Sequence, residues 1–186
     1  LDRKVLNVLN VLIVMEAKRK FNSFVKGLSK EDHIAIIHDT DADGICSTAI
    51  VCKSLEKLGI KVERFIPGRY DNINKLRLNF LHEEGINKLI VLDFAADQLA
   101  DFPEEIAAFE SVLIIDHHKI YKDLNSKKIV FIKAPHLRKD MSGSDYCTTK
   151  MAFDLFSDIV NIDELDWLTS VGMITDITDA KWQDFN

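Results

Sequence analysis

The stretch Ile34-Ala35-Ile36-Ile37-His38-Asp39-Thr40-Asp41-Ala42-Asp43-Gly44 sets a short apolar run directly against a loop carrying three aspartates. Four consecutive apolar residues that do not alternate with polar ones read as a strand buried on both faces, the kind found in parallel sheets. The pattern returns twice. Leu89-Ile90-Val91-Leu92 runs into Asp93, and Val112-Leu113-Ile114-Ile115 runs into Asp116-His117-His118. Ligands of open α/β sheets sit beyond the carboxyl ends of the strands, so a site is expected in the residues that follow each run.

Helical spacing fills the intervals. Val5, Val8, Leu12, Met15, Phe21, Phe24 and Leu28 form a mostly helical stripe, which predicts an amphipathic N-terminal helix within residues 1–30 that packs on the domain. Further helices are predicted over about 47–58, 72–84, 103–109, 143–157 and 163–175, with Gly59 and Gly85 as stops. Strands are predicted over 61–66, closed by Pro67-Gly68, and over 129–132. The fold class is therefore α/β, a mostly parallel sheet with helices on both faces, and residues 31–186 make one domain without internal repeat or linker.

Composition narrows the function. A chain of 186 residues with 47% apolar positions is one domain with enough material for a core, which excludes a disordered or collagen-like chain. With 24 basic against 30 acidic residues the net charge is −6, so a globally basic nucleic-acid binder is excluded, although a local groove is not. Cys46, Cys52 and Cys147 are odd in number and lack a CxxC spacing, as expected of reduced thiols in an intracellular, cytoplasmic protein. No run approaches the ~18 apolar residues of a membrane span. The apolar segment 8–15 is interrupted by Asn10 and is followed by Glu16, Lys18, Arg19 and Lys20, not by a small-residue cleavage site. The first residue is Leu1, as expected of a processed or trimmed piece.

Asp39, Asp41 and Asp43 fall at alternate positions within five residues. Gathered in one pocket, such carboxylates repel by several kcal/mol at low effective dielectric, and a cation is the natural remedy. Carboxylates with imidazoles and no thiolate suit Mn²⁺, and less specifically Mg²⁺ or Fe²⁺. A structural zinc site would need closely spaced cysteines. The ligands exceed the needs of one ion, and two ions roughly 3.5–4 Å apart with a bridging carboxylate would use them. Alone, an Asp-rich loop with an Asp-Gly step is an ordinary turn. An EF-hand is excluded, because the twelfth position counted from Asp39 is Ile50, not Glu. Three acidic strand ends together argue for a site.

The order DxDxDG, an isolated Asp after a strand, then Asp-His-His resembles the DHH phosphoesterase superfamily, and within it the N-terminal DHH domain of archaeal RecJ-like exonucleases. Asp176, in Gly172-Met173-Ile174-Thr175-Asp176, matches the superfamily's fourth motif, with Asp179 as the fallback, and Ser142-Gly143-Ser144 is similar to the Ser/Gly-rich helix start that precedes it. The resemblance runs from about residue 33 to 180. It implies Asp39, Asp41, Asp43, Asp93, His117 and Asp176 as ligands of two Mn²⁺ ions, Asp93 bridging them. It implies that Asp116 orients His117, that His118 faces the substrate phosphate, and that His38 lies behind the ligands. The His-first register of the manganese pyrophosphatases falls on Ile37 and is not reproduced.

The expected activity is hydrolysis of phosphodiesters by a RecJ-like exonuclease domain acting on single-stranded DNA or RNA. Two alternatives are a phosphodiesterase for short oligonucleotides or cyclic dinucleotides and a scaffold that meets replication proteins, with no membrane partner. His136, Arg138 and Ser142 are candidate substrate contacts, and Arg69, Tyr70, Arg77, Lys133 and Lys139 would extend a phosphate path unless they are solvated surface charge. The resemblance implies that nuclease relatives usually carry a second, smaller domain after the fourth motif, with a glycine-rich substrate-binding stretch. Only ten residues follow Asp176, so an isolated catalytic domain of a longer protein is expected.

Overall fold

In a computed structural model of the chain, residues 3–68 and 78–182 are described. Arg69, Tyr70 and Arg77, named above for a phosphate path, and the start of the helix predicted from 72 lie outside them. Five strands form one sheet in the order β2-β1-β3-β4-β5: β1 Ile34–Asp39, β2 Val62–Gly68, β3 Lys88–Leu92, β4 Ser111–Asp116 and β5 Ile129–Lys133. Every pairing is parallel. The chain leaves β1 toward one edge and resumes at β3 on its other side, so the direction of winding reverses between β1 and β3, where a crevice opens at the carboxyl ends.

The apolar runs fill both faces by alternation. Ile34, Ile36, Ile90, Leu92, Leu113, Ile115 and Ile132 pack against helices α1 (Arg3–Lys26), α2 (Ala42–Lys57) and α6 (Thr148–Ser157). Ala35, Ile37, Leu89, Val91, Val112, Ile114 and Phe131 pack on the opposite side against α3 (Asn79–Glu83) and α4 (Phe102–Glu105). The other α-helices among the described residues are α5 (Ala134–Leu137) and α7 (Asp166–Thr175). Gly59 and Gly85, the predicted stops, adopt positive φ of 77° and 91°.

Several predicted boundaries move: β2 runs through Pro67 and Gly68, the residues expected to close it, and α7 starts at Asp166 after a 3₁₀ turn at Asp163–Leu165. Helix α2 starts at Ala42, because the Asp41 side chain accepts the Gly44 amide hydrogen and caps it inside the acidic loop. The helix predicted over 143–157 is a short 3₁₀ turn at Gly143–Asp145 followed by α6. The segment predicted helical over 103–109 is helical only at Phe102–Glu105. The N-terminal stripe also divides. Phe21 and Phe24 are buried, Phe21 edge-on to Phe156 at 5.0 Å, while Val5, Val8, Leu12 and Met15 remain exposed, so the fully buried side chains of α1 come from its second half. Among the described residues no helix is long and apolar enough to cross a membrane, and the three cysteines are free thiols.

Candidate metal centre

The carboxyl ends of β1, β3 and β4 and the end of α7 converge on one crevice. Asp43, in the first turn of α2, is buried, and its two carboxylate oxygens accept the amide hydrogens of Thr148 (2.8 Å) and Thr149 (2.9 Å) at the start of α6. Asp93 follows β3 with φ 55°, a left-handed conformation that Asp tolerates better than most residues, and it accepts the Thr148 hydroxyl at 3.0 Å. It is 1% exposed. Burial, then the charges of Asp43, Asp41 and Asp116, push its carboxyl up to about 10. Asp176 ends α7, and burial raises it to about 6 against the pull of His117.

His117 joins these carboxylates. Its Nε2 lies 3.4 Å from Asp93 and its Nδ1 3.5 Å from Asp176. Two groups of donor atoms each fall within 4.8 Å, Asp43 with His117 and Asp176, and Asp93 with His117 and His118. A buried carboxylate held so far from its ordinary ionisation, beside others and two imidazoles, is a donor set that a hard or borderline divalent cation fits. Asp39 and Asp41 belong to neither group. Asp39 accepts its neighbour Thr40's amide hydrogen and Asp41 caps α2, both at the rim. His38 Nδ1 contacts the Asp39 carbonyl at 2.7 Å, and exposed Asp179 lies in neither group.

The Asp-His-His segment departs from expectation in one respect. Asp116 does not orient His117. The Gly143 carbonyl holds His117 Nδ1 at 2.8 Å, while Asp116 Oδ1 holds His118 Nδ1 at 2.7 Å. The chain approaches so closely there that a Cβ on Gly143 would lie 1.9 Å from the His117 carbonyl oxygen. A glycine is required. Burial opposes ionisation of Asp116, but the His118 hydrogen bond and the Lys133 ammonium outweigh it and bring the carboxyl down to about 2. Burial likewise opposes the His118 imidazolium, and Asp116 outweighs it, raising His118 above its ordinary value.

Beside this centre lies a cavity of about 670 Å³ lined by His117, His118, Lys119, Ser142, Gly143 and Asp176, among others. Of the candidate substrate contacts, Ser142 lines it. His136 does not, because its Nδ1 accepts the Lys133 amide hydrogen at 3.1 Å and its ring lies in a cleft under α1. Arg138 pairs with Asp140 at 3.1 Å beside α1, and Lys139 lines the same clefts. Lys133 is neither surface charge nor phosphate path. It is fully buried and pairs with Asp116 and Asp97, a role that a lone lysine at a strand end does not announce in sequence.

The family model described as "DHH family, N-terminal domain" matches residues 33–177. The chain is similar to the single-stranded-DNA-specific exonuclease RecJ of Bacillus subtilis, 30% identical over 161 residues that cover 82% of this chain and 20% of that protein. It spans about a fifth of the length of the curated relatives it matches. Among solved structures, RecJ of Thermus thermophilus in complex with Mn²⁺ shares the fold with a TM-score of 0.64 at 22% identity, over 93% of this chain and 26% of that one. CDC45 of Entamoeba histolytica shares it with a TM-score of 0.62 at 16% identity, over 88% of this chain and 34% of that one.

Proposed function

We propose, from the premise that this chain belongs to the DHH family, that it is a Mn²⁺-dependent phosphodiester hydrolase domain acting on single-stranded DNA or RNA. The observation that carries this reading is the meeting of Asp43, Asp93, His117 and Asp176 from four separate elements beside an open cavity. The similarity to a single-stranded-DNA-specific exonuclease supports the substrate class.

Asp43, Asp93, His117 and Asp176 would hold two divalent ions, with Asp39 and Asp41 approaching from the rim. The chemistry such ions supply is acidification of water and neutralisation of phosphoryl charge. The chain's own residues do the rest. Gly143 fixes the His117 ring through its carbonyl, and Thr148 fixes Asp93 through its hydroxyl. His118 gives its Nδ1 hydrogen to Asp116, so Nε2 is the ring nitrogen that meets a phosphoryl or leaving oxygen. Ionised Asp116 favours the imidazolium form of His118, the form that would stabilise that oxygen or protonate it. Ser142 lines the same cavity, its hydroxyl donating to Asp145 at 2.7 Å.

The test is degradation of an end-labelled single strand with Mn²⁺ beside the Asp93→Ala variant, with a labelled dinucleotide in parallel. Activity on the strand that the variant abolishes supports the reading; equal activity in both proteins refutes it. Preference for the dinucleotide would move the substrate to short oligonucleotides. An added role beside replication proteins in the cytoplasm is a second reading, favoured by the fold shared with CDC45. In that case partner binding would survive Asp93→Ala.

A further inference from the structure

Lys133 closes β5, and the register of the sheet sets it directly opposite Asp116, the last residue of β4. Its side chain is wholly buried, as are those of its two partners. The ammonium donates to Asp116 Oδ2 and lies 3.2 Å from Asp97 Oδ1. Each carboxylate gives its other oxygen to the segment after the strand. Asp116 Oδ1 takes the His118 Nδ1 hydrogen at 2.7 Å and the His118 amide hydrogen at 3.2 Å. Asp97 Oδ2 takes the amide hydrogens of Tyr121 at 2.7 Å and Lys122 at 3.3 Å. His118, Lys119 and Ile120, the wall of the cavity, are thus tied down at both ends through acids that share one cation.

We propose that Lys133 is the positioning residue of this wall: by clamping Asp116 and Asp97 it fixes the ring of His118 and the backbone over Tyr121–Lys122. Stability alone is a poor reason for the arrangement, because well-packed apolar side chains replace a buried ionic group at little or no loss. What apolar side chains cannot do is hold the second oxygen of a carboxylate whose first oxygen is already engaged by His118. An Asp116 without its lysine would be able to turn, and the His118 ring would turn with it. The ammonium, a compact point charge, suits two acids that approach from different sides, Asp116 at the end of β4 by a hydrogen bond and Asp97 in the 3₁₀ turn Ala96–Gln98 by charge at 3.2 Å, better than a planar guanidinium. Calling the result catalytic positioning rests on the reading of His118 given above.

The test uses the full chain with ¹⁵N-labelled histidine. In the wild type, at a pH high enough to neutralise the ring, His118 is expected to keep its one remaining hydrogen on Nδ1, and the Tyr121 and Lys122 amides are expected to exchange slowly. In Lys133→Met, His118 should become a mixture of tautomers and both amides should exchange at least about 10-fold faster, with Mn²⁺ binding retained. On a single strand, kcat should fall about 100-fold with KM little changed. Lys133→Met with His118→Ala should be no worse than His118→Ala alone. An unchanged His118 ring in Lys133→Met, or losses that add in the double variant, would overturn the proposal. If the methionine variant does not fold, Lys133→Gln is read by the same spectra, and a wild-type His118 protonated on Nε2 alone defeats the clamp. A wild type that cleaves no strand would sink the nuclease reading, while the ring and exchange data would still decide the clamp.

Discussion

Asp43 and Thr148 stand 105 positions apart in the chain, and the carboxylate of the first accepts the amide hydrogen of the second at 2.8 Å. With Thr149 doing the same to the other oxygen, Asp43 serves as the N-terminal cap of α6 while facing His117 and Asp176. The two duties separate experimentally. Asp43→Ala leaves two buried amides without an acceptor and is expected to cost about 1–2 kcal/mol in metal-free protein. Asp176 is half-buried and unfavourably ionised, so Asp176→Asn should raise metal-free stability by about 1 kcal/mol after allowance for solvent screening. Urea unfolding in chelator measures both, and destabilisation by both variants alike would refute the distinction.

The pH dependence of metal-free protein has a definite sign. Asp93 is held up to about 10 and Asp176 to about 6, so the folded state keeps protons that the unfolded chain gives up near pH 4. Stability is then greatest below about pH 4 on their account and falls as pH rises through 6 and toward 10. The raised His118 adds to the fall near neutrality. Asp116, brought down to about 2, contributes stability above pH 4 that is lost only in strong acid. Between pH 5 and 8, the urea midpoint in chelator should drop, and saturating Mn²⁺ should flatten or reverse the slope by binding the ionised carboxylates. A midpoint indifferent to both would mean that the carboxylates do not share one crevice.

Much of this was legible in the chain, and the gaps have physical causes. IAII, LIVL and VLII, each four residues long, rich in β-branched residues and closed by acidic or turn residues, point to a doubly covered parallel sheet, and strand ends then point to the loops that carry Asp43, Asp93 and His117. The start of α2 was not legible from apolar periodicity, because a carboxylate cap at Asp41, not an apolar face, begins it. Lys133 was unreadable because burial of a lysine depends on acids far away in the chain, one at the end of β4 and one in a 3₁₀ turn after β3. The partner exchange at Asp-His-His, where Gly143 and not Asp116 holds His117, depends on a backbone approach with no signature beyond a glycine.

Gly143 supplies a third prediction. A methyl group there would sit 1.9 Å from the His117 carbonyl oxygen, against backbone that cannot yield cheaply. Gly143→Ala should therefore push the 3₁₀ turn away and remove the carbonyl from His117 Nδ1. Mn²⁺ affinity should fall about 10–100-fold, the usual cost of losing a ligand's supporting hydrogen bond. Ser142→Ala, which leaves that carbonyl in place, should bind Mn²⁺ as the wild type does. Calorimetric titration of the two variants separates these outcomes, and equal affinities would deny the carbonyl its role.

Ile177 follows Asp176 at φ 56°, a left-handed conformation in which a β-branched residue is strained, and its side chain is 82% exposed. The position is that of the residue just past a helix end, where glycine is the usual occupant: the Thr178 amide returns to the Met173 carbonyl at 2.9 Å across the turn. Such strain costs of the order of 1–3 kcal/mol. Glycine removes it but gives back roughly 0.5–1 kcal/mol through the freedom of the unfolded chain, so Ile177→Gly should stabilise by about 1 kcal/mol. The turn's hydrogen bonds do not involve the side chain, and Asp176 should therefore keep its place and Mn²⁺ affinity should hold. A loss of affinity alongside the gain in stability would show instead that the strained turn is what presses Asp176 toward His117, and that stability is given up at this helix end for the geometry of the metal centre.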